Sequence, residues 1–450
     1  MILLVNTFFK KSVDFWVKIA RFLHFLMIFW PLLDFFILLI YYRFEFTVKG
    51  VFMLEQKLNV LAKKLFSHKG FNARLNSIQF YNGEMTEVFK NLLKTFSPSG
   101  KVALIATVDT AIKMGKVFGR AASSVGVTLV TYAFEDFTPS TENVSGLFSL
   151  SDDVRSVICC EADVMDFASY YSSVRKLPLF IVPLKTDVSG LLKDKIRLLT
   201  GEKIDDVSLK TNRHVIIDKN LIEKDFAGAY AFVMSKFIDL IDYRINHVVT
   251  GKIADKTAFD TIRQSVLSTY GVNKLKSGID DVLIYNAFAV ELATASSKGA
   301  IADCSSSVIA SSLCGEKNNP GILLAFAMRI IKIYSALCNL DLDFTALTDV
   351  NAISEELSEH SGVEEEYFLS CIVDQIKSVT QKQAQISSFL AQSKKEINSF
   401  LNLSKNIYKT YVDFGGNNPE IPDYTFAITH CGDALNGVNG MTIVRELGLI

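Results

Sequence analysis

The chain has 450 residues, of which 49% are hydrophobic and 21% charged, with 47 Lys and Arg against 48 Asp and Glu for a net charge of −1. That length fits two or three domains, and the apolar content excludes a disordered chain. The charge balance excludes a whole-chain nucleic-acid binder, and 8 prolines with 24 glycines exclude collagen-like and Pro-rich classes.

Residues 22–42, FLHFLMIFWPLLDFFILLIYY, are long enough to cross a bilayer as a helix. His24, Pro31 and Asp34 count against that, since a central carboxylate is costly in hydrocarbon. Lys10, Lys11, Lys18 and Arg21 precede the run and would stay cytoplasmic. No small-residue cleavage site follows, so a signal peptide fits worse. The alternative is an over-long start. Met53 precedes an amphipathic helix with Leu54, Leu58, Leu61 and Leu65 on one face, and translation could begin there. Residues 1–52 are thus a membrane anchor or a mis-called start.

Beyond Ile78, short apolar runs alternate with helical stretches. Strands are predicted at 101–108, 127–134, 154–160, 177–184 and 214–222. Helices are predicted at 110–125 and 163–175, with a loop over 138–151. This alternation implies a parallel sheet covered on both faces. After residue 225 strand patterns cease and helical patterns dominate, at 228–249, 318–337 and 394–414. The expected fold is an α/β domain with a Rossmann-like parallel sheet (53–225) followed by an all-α domain (226–450).

The seven cysteines are Cys159, Cys160, Cys304, Cys314, Cys338, Cys371 and Cys431. They form no CxxC pair, so neither a zinc ribbon nor a thioredoxin-like motif is present. Reduced thiols in the cytoplasm are the simplest reading; the alternative is a membrane-anchored chain. His430, Cys431 and Asp433 read as loop residues rather than a nucleophile cluster, and Glu364, Glu365 and Glu366 as a solvated helix start. His247 reads as a packed helix residue.

In an open parallel sheet, ligands collect beyond the carboxyl ends of the strands. The residues there are Asp109; Cys159, Cys160, Glu161 and Ala162, with Asp166 one helical turn on; and the run Pro183, Leu184 to Gly190. A dinucleotide site wants glycines in such a turn, so that backbone amides can approach the pyrophosphate. The turn CCEA has side chains throughout, and Glu161 adds a repulsive charge.

Three stretches carry a resemblance: DLIDYRINHVVTGK (239–252), CGEKNNPGILLAFAMRI (314–330) and ALNGVNGMTIVRELGLI (434–450). Through them the chain from Ile78 to Ile450 resembles sn-glycerol-1-phosphate dehydrogenases. These belong to the iron-containing alcohol dehydrogenase and dehydroquinate synthase-like superfamily. The resemblance implies NAD(P)-dependent interconversion of dihydroxyacetone phosphate and glycerol 1-phosphate. It also implies a divalent metal (zinc, iron or nickel) held by one Asp and two His and acting as a Lewis acid.

Carried over residue by residue, the resemblance leaves gaps. The Gly-rich turn falls on Cys159, Cys160, Glu161 and Ala162. The Asp after it matches Asp166, but the following Lys falls on Ser169. In the next loop Pro183 and Gly190 are kept, Leu184 replaces Thr, and the Asp falls on Ser189. The metal-binding Asp, four residues before Lys236, falls on Phe232, and one metal His falls on Cys314. The other has no counterpart in SKGAIADCSSSVIASSL (297–313). Asp303, Cys304 and Cys314 are the candidates for a rebuilt site, since thiolates bind zinc.

Three readings follow. The chain is a catalytically degenerate member of this dehydrogenase group. Or it is an active oxidoreductase, on these substrates or another polyol, with an altered metal site. Or it is a membrane-anchored binding protein without enzymatic activity. A homo-oligomer is the expected assembly, with membrane contact only through residues 22–42.

Overall fold

The computed structural model describes residues 50–67, 74–81, 85–97, 100–185, 190, 192, 195–218, 225–251, 256–275, 278–297, 304–305, 320–344, 349–417, 430, 432 and 437–449. The chain divides into Met1–Gly50 and Val51–Ile450, and the description concerns the second unit. Residues 22–42 lie outside the described residues.

Helix α1 (Gly50–Leu65) leads into β1 (Arg74–Tyr81), α2 (Met85–Phe96), β2 (Lys101–Thr107), α3 (Val108–Ser123) and β3 (Thr128–Phe134). Then come α4 (Thr141–Gly146), β4 (Val154–Cys159), α5 (Met165–Arg175) and β5 (Pro178–Ile181). Strands β6 (Lys195–Thr200) and β7 (Lys203–Ser208) form an antiparallel hairpin, and β8 (Asn212–Asp218) returns to the main sheet. That sheet has the order β1-β8-β5-β4-β2-β3, and every pairing in it is parallel. From Phe226 onward every described element is a helix. They are α6 (Phe226–Ser235), α7 (Asp239–Thr250), α8 (Lys256–Tyr270), α9 (Ile279–Ser296) and α10 (Pro320–Leu337). After these come α11 (Val350–Ser361), α12 (Glu365–Gln381), α13 (Gln383–Asp413) and α14 (Gly440–Glu446). The α/β-then-α order is the one expected from the sequence.

The central strands read as apolar runs because helices cover both faces. On one face Val102, Leu104, Ala106, Ile158, Phe180 and Ile216 pack against Phe89 and Leu93 of α2 and Met114, Phe118 and Ala121 of α3. On the other, Phe134 of β3 stacks on Phe167 of α5 at 4.1 Å. Of the four leucines expected on one face of α1, Leu54, Leu58 and Leu65 are buried and Leu61 is half-buried. Two α1 side chains also cap the outer edge of β1. Ile78 N–H donates to Asn59 Oδ1 (3.1 Å), Asn59 Nδ2 to the Ile78 carbonyl (2.7 Å), and Phe80 N–H to Glu55 (3.0 Å).

The β6–β7 hairpin was not expected, and four further features differ from expectation. The loop over 138–151 contains α4, because the Ser140 hydroxyl accepts from Asn143 N–H (3.2 Å) and caps a helical turn. Strand β5 stops at Ile181, and Pro183 has no N–H with which to extend the ladder. The single helix expected over 228–249 is two. Lys236 N–H bonds to the Val233 carbonyl (3.2 Å) and Phe237 N–H to Met234 (3.3 Å), so the helix tightens to three-residue bonds and turns. Finally, His247 is exposed on α7 rather than packed.

Among the described residues one helix, α10, is long and apolar enough to cross a membrane, and 56% of it is buried inside the protein.

Candidate functional site

Strand β2 is followed by its neighbour β3 on one side, whereas β4 is followed by β5 on the other. The strand order therefore reverses between β2 and β4. Their carboxyl ends frame the crevice where a doubly wound sheet receives its ligand. The sequence-predicted residues meet here, since β2 ends at Thr107 just before Asp109, and β4 ends at Cys159 just before Cys160, Glu161 and Ala162.

Thr107 is the N-cap of α3, and its hydroxyl accepts from Thr110 N–H (3.3 Å). The same hydroxyl donates to Glu161 Oε1 at 3.0 Å. A carboxylate is thus tied across the reversal point, beside a helix N-terminus that favours negative charge. The Cys159 thiol donates to the Glu161 carbonyl (3.4 Å), which holds the turn in shape. Cys159 and Cys160 are buried, and burial pushes the Cys159 thiol up to about 12 and Cys160 well above its usual value. Neither is a thiolate at neutral pH. Cys160 and Leu184 belong to the apolar core, and Pro183 is buried beside them. Asp166 lies in the first turn of α5, partly exposed, and Ser169 is buried and accepts from Arg213 (3.3 Å). Ser189 lies outside the described residues.

The metal position implied by the resemblance is Phe232. Its ring is 1% exposed within α6, a helix buried along nearly its whole length. The Lys236 ammonium sits 5.5 Å from the centre of that ring and pairs with Asp239 Oδ2 at 3.2 Å. Both members of this ion pair are buried. Asp303 and Cys314 lie outside the described residues, as do Cys431 and Asp433.

Cys304 joins a cluster that sequence reasoning missed. Asp239, Asp242 and Cys304 are all buried, and their potential ligand atoms lie within 4.8 Å of one another. One carboxylate oxygen of Asp242 accepts from the Tyr334 hydroxyl and from Gly440 N–H (2.9 Å); the other accepts from Ser305 N–H (2.7 Å). The Ser305 and Tyr334 hydroxyls are 2.9 Å apart. The Cys304 thiol points at the Asp239 carbonyl, 3.6 Å away. Burial raises the Asp242 carboxyl to about 6, with the Tyr334, Gly440 and Ser305 donors pulling the other way.

This cluster does not fit a divalent ion. Both Asp242 oxygens already accept from O–H and N–H donors, and an ammonium faces Asp239. A cation there would displace Lys236 and strip buried donors of their acceptor. The cluster instead fastens helices together. Asp242 links α7 to α10 and to the start of α14, and Asn246, one turn on, accepts from Val438 N–H (3.2 Å). The i, i+3, i+7 spacing of Asp239, Asp242 and Asn246 puts one polar face on α7 and was readable. Its partners lie far away in the chain and were not. Among the described histidines, His214 packs against Phe96 and Phe180 and contacts Ser77 (3.1 Å), while His430 lies 3.3 Å from Glu356.

No family model matches the chain, and no curated protein matches it. Solved structures do. Glycerol dehydrogenase from Schizosaccharomyces pombe is 11% identical, with a TM-score of 0.45 over 75% of this chain and 92% of that one. An iron-containing alcohol dehydrogenase from Thermococcus thioreducens is 9% identical, with a TM-score of 0.47 over 83% and 93%. Sulfoacetaldehyde reductase from Bifidobacterium kashiwanohense, solved with NAD+, is 11% identical, with a TM-score of 0.44 over 80% and 96%.

Proposed function

We propose that the chain is a catalytically degenerate relative of the glycerol-1-phosphate dehydrogenases, keeping their scaffold without their hydride chemistry. The observation that carries this is the Thr107–Glu161 hydrogen bond across the strand-order reversal. A diphosphate bound there would meet a carboxylate and three successive side chains where it needs bare amides. The second support is the aromatic ring of Phe232 at the position matched to a metal-binding Asp, with Lys236 and Asp239 closing the space beside it. An aldehyde or ketone reduced by hydride transfer needs an electrophile to take up alkoxide charge. Both Asp242 oxygens accept from buried donors, and one Asp239 oxygen pairs with Lys236. The protein then acts as a binding or assembly component.

The test uses the full-length chain. Metal content is measured by plasma emission, NADH binding by fluorescence quenching, and dihydroxyacetone phosphate reduction by loss of NADH absorbance. The expected results are substoichiometric metal, no saturable quenching up to millimolar NADH and no turnover above background. Saturable NADH binding together with chelator-sensitive turnover would refute the proposal and favour an active oxidoreductase.

A further inference from the structure

The two edges of the main sheet are treated differently. Edge β1 is capped by Asn59 and Glu55 of α1. Edge β3 has no strand on its outer side among the described residues. Its sequence, TLVTYAF, has seven residues and carries no charge and no proline, and Thr128, Thr131 and Ala133 are exposed. Natural edges are ordinarily protected by Lys, Pro, a bulge or a covering element, and this one has none of those within the strand.

The helix beside it has the matching property. Met114, Phe118, Ala121 and Ala122 turn α3 toward the sheet. With 100° per residue, and the right-handed crossover expected from β2 through α3 to β3, the flank of α3 facing the open edge carries Val108, Ala111, Ile112, Gly115 and Gly119. Gly119 lies over β3, since a Cβ there would meet Leu129 at 3.8 Å, and a Cβ at Gly115 would meet nothing within 4 Å. Ile112 is 70% exposed. The charged residues of the helix, Asp109, Lys113, Lys116 and Arg120, fall on the arcs facing solvent and α2. A helix flank left to water would ordinarily be polar.

We infer that β3 pairs antiparallel with β3 of a second copy, joining two six-stranded sheets into one across a two-fold axis. Antiparallel pairing places that axis perpendicular to the sheet, so α3 and its copy lie on the same face. Each helix lies over the β2–β3 pair, and strands are spaced about 4.8 Å apart, so the two axes come to about 10 Å, an ordinary helix-packing distance. Gly115 and Gly119 let the backbones close in. A register centred on Thr131 uses all seven residues and sets Thr131 opposite its own copy. A strand about 23 Å long on a sheet with its helix layers about 25 Å deep buries roughly 600 Å² per copy, near the lower end for a stable dimer. Because each side is uncharged and complementary to itself, a second copy of this chain suits the surface better than a charged partner.

The test is oxidative cross-linking of the full-length chain. Opposed Cα atoms in an antiparallel pair lie about 4.5–5.5 Å apart, within disulfide reach. Thr131→Cys treated with copper phenanthroline should shift mostly to twice the monomer mass on a non-reducing gel, against the unmutated chain and exposed Ser145→Cys as controls. Adding Gly115→Arg should cut the cross-linked fraction at least tenfold. That change meets open space within one copy and suits a helix, so it leaves the fold intact. No dimer band from Thr131→Cys, as when another segment or another protein covers β3, would overturn the inference. So would a dimer band that Gly115→Arg leaves unchanged.

Discussion

Asp242 offers the sharpest test of how the helical region is held. Its carboxylate accepts from Tyr334, Gly440 N–H and Ser305 N–H in a fully buried setting. Asp242→Ala removes the acceptor from three buried donors, each worth about 1–3 kcal/mol when left unsatisfied. Relief of the buried carboxylate offsets part of this, leaving a loss of roughly 3–5 kcal/mol, a large share of the stability of a typical domain. Asp242→Asn keeps the shape and spoils one donor contact, for a loss of about 1–3 kcal/mol. The pH dependence separates packing from charge. The folded carboxyl is raised from 3.8 to about 6, so the native state holds its proton more tightly than the unfolded chain. This group's stabilisation is therefore full below about pH 4 and is lost as pH rises through 6. A rise of about two units corresponds to about 3 kcal/mol. The deficit of Asp242→Asn relative to the unmutated chain should grow by up to that amount between pH 7.5 and pH 4. Urea unfolding followed by circular dichroism and tyrosine fluorescence at several pH values measures it. A deficit that shrinks toward acid would mean that the three donors outweigh burial and that the carboxylate is held ionised.

Other consequences follow from the same contacts. Gly440→Ala places a Cβ 2.3 Å from the Tyr334 ring, so the terminal helix should detach, and limited proteolysis should trim the chain near residue 440 in the variant alone. Cys159, with its thiol lifted to about 12, and Cys160 should resist iodoacetamide at pH 8 until denaturant is added; mass spectrometry of labelled peptides from the native protein would expose an error. Asn59→Ala frees the Ile78 N–H and carbonyl on the β1 edge, and light scattering should show faster aggregation on warming than for the exposed control Val60→Thr.

What the sequence revealed depended on whether the cause of each element was local. Strands β2 and β4 stand out because burial on both faces demands continuous apolar runs, and KVALIAT and VRSVIC supply them, while the edge strand β3 stands out through the β-branched and aromatic residues of TLVTYAF although three of its seven residues are exposed. The β6–β7 hairpin does not stand out. KIRLLT and KIDDVS are half exposed and charged, and what holds them lies elsewhere in the chain: Leu199 N–H donates to the Pro139 carbonyl (2.7 Å) and Glu364 N–H to Glu202 (2.9 Å). The break between α6 and α7 carries no Gly or Pro to announce it, because its companion is the Lys236–Asp239 pair, and a buried ion pair leaves no periodic trace. The candidate site divides in the same way. The side chains of the turn Cys159–Ala162 and the charge of Glu161 were readable from the sequence itself, but the hydrogen bond to Thr107 required knowing that β2 and β4 are neighbours. Two of the three stretches that carried the resemblance meet in space, since Asp242 and Asn246 of the first accept from Gly440 and Val438 of the third. A helix scaffold can keep such internal fastenings after a nearby ligand site has changed, because a buried donor without its acceptor destabilises the fold whether or not any substrate binds. The stretches 239–252 and 434–450 therefore hold helices to one another through Asp242 and Asn246, a role that does not depend on any bound ligand.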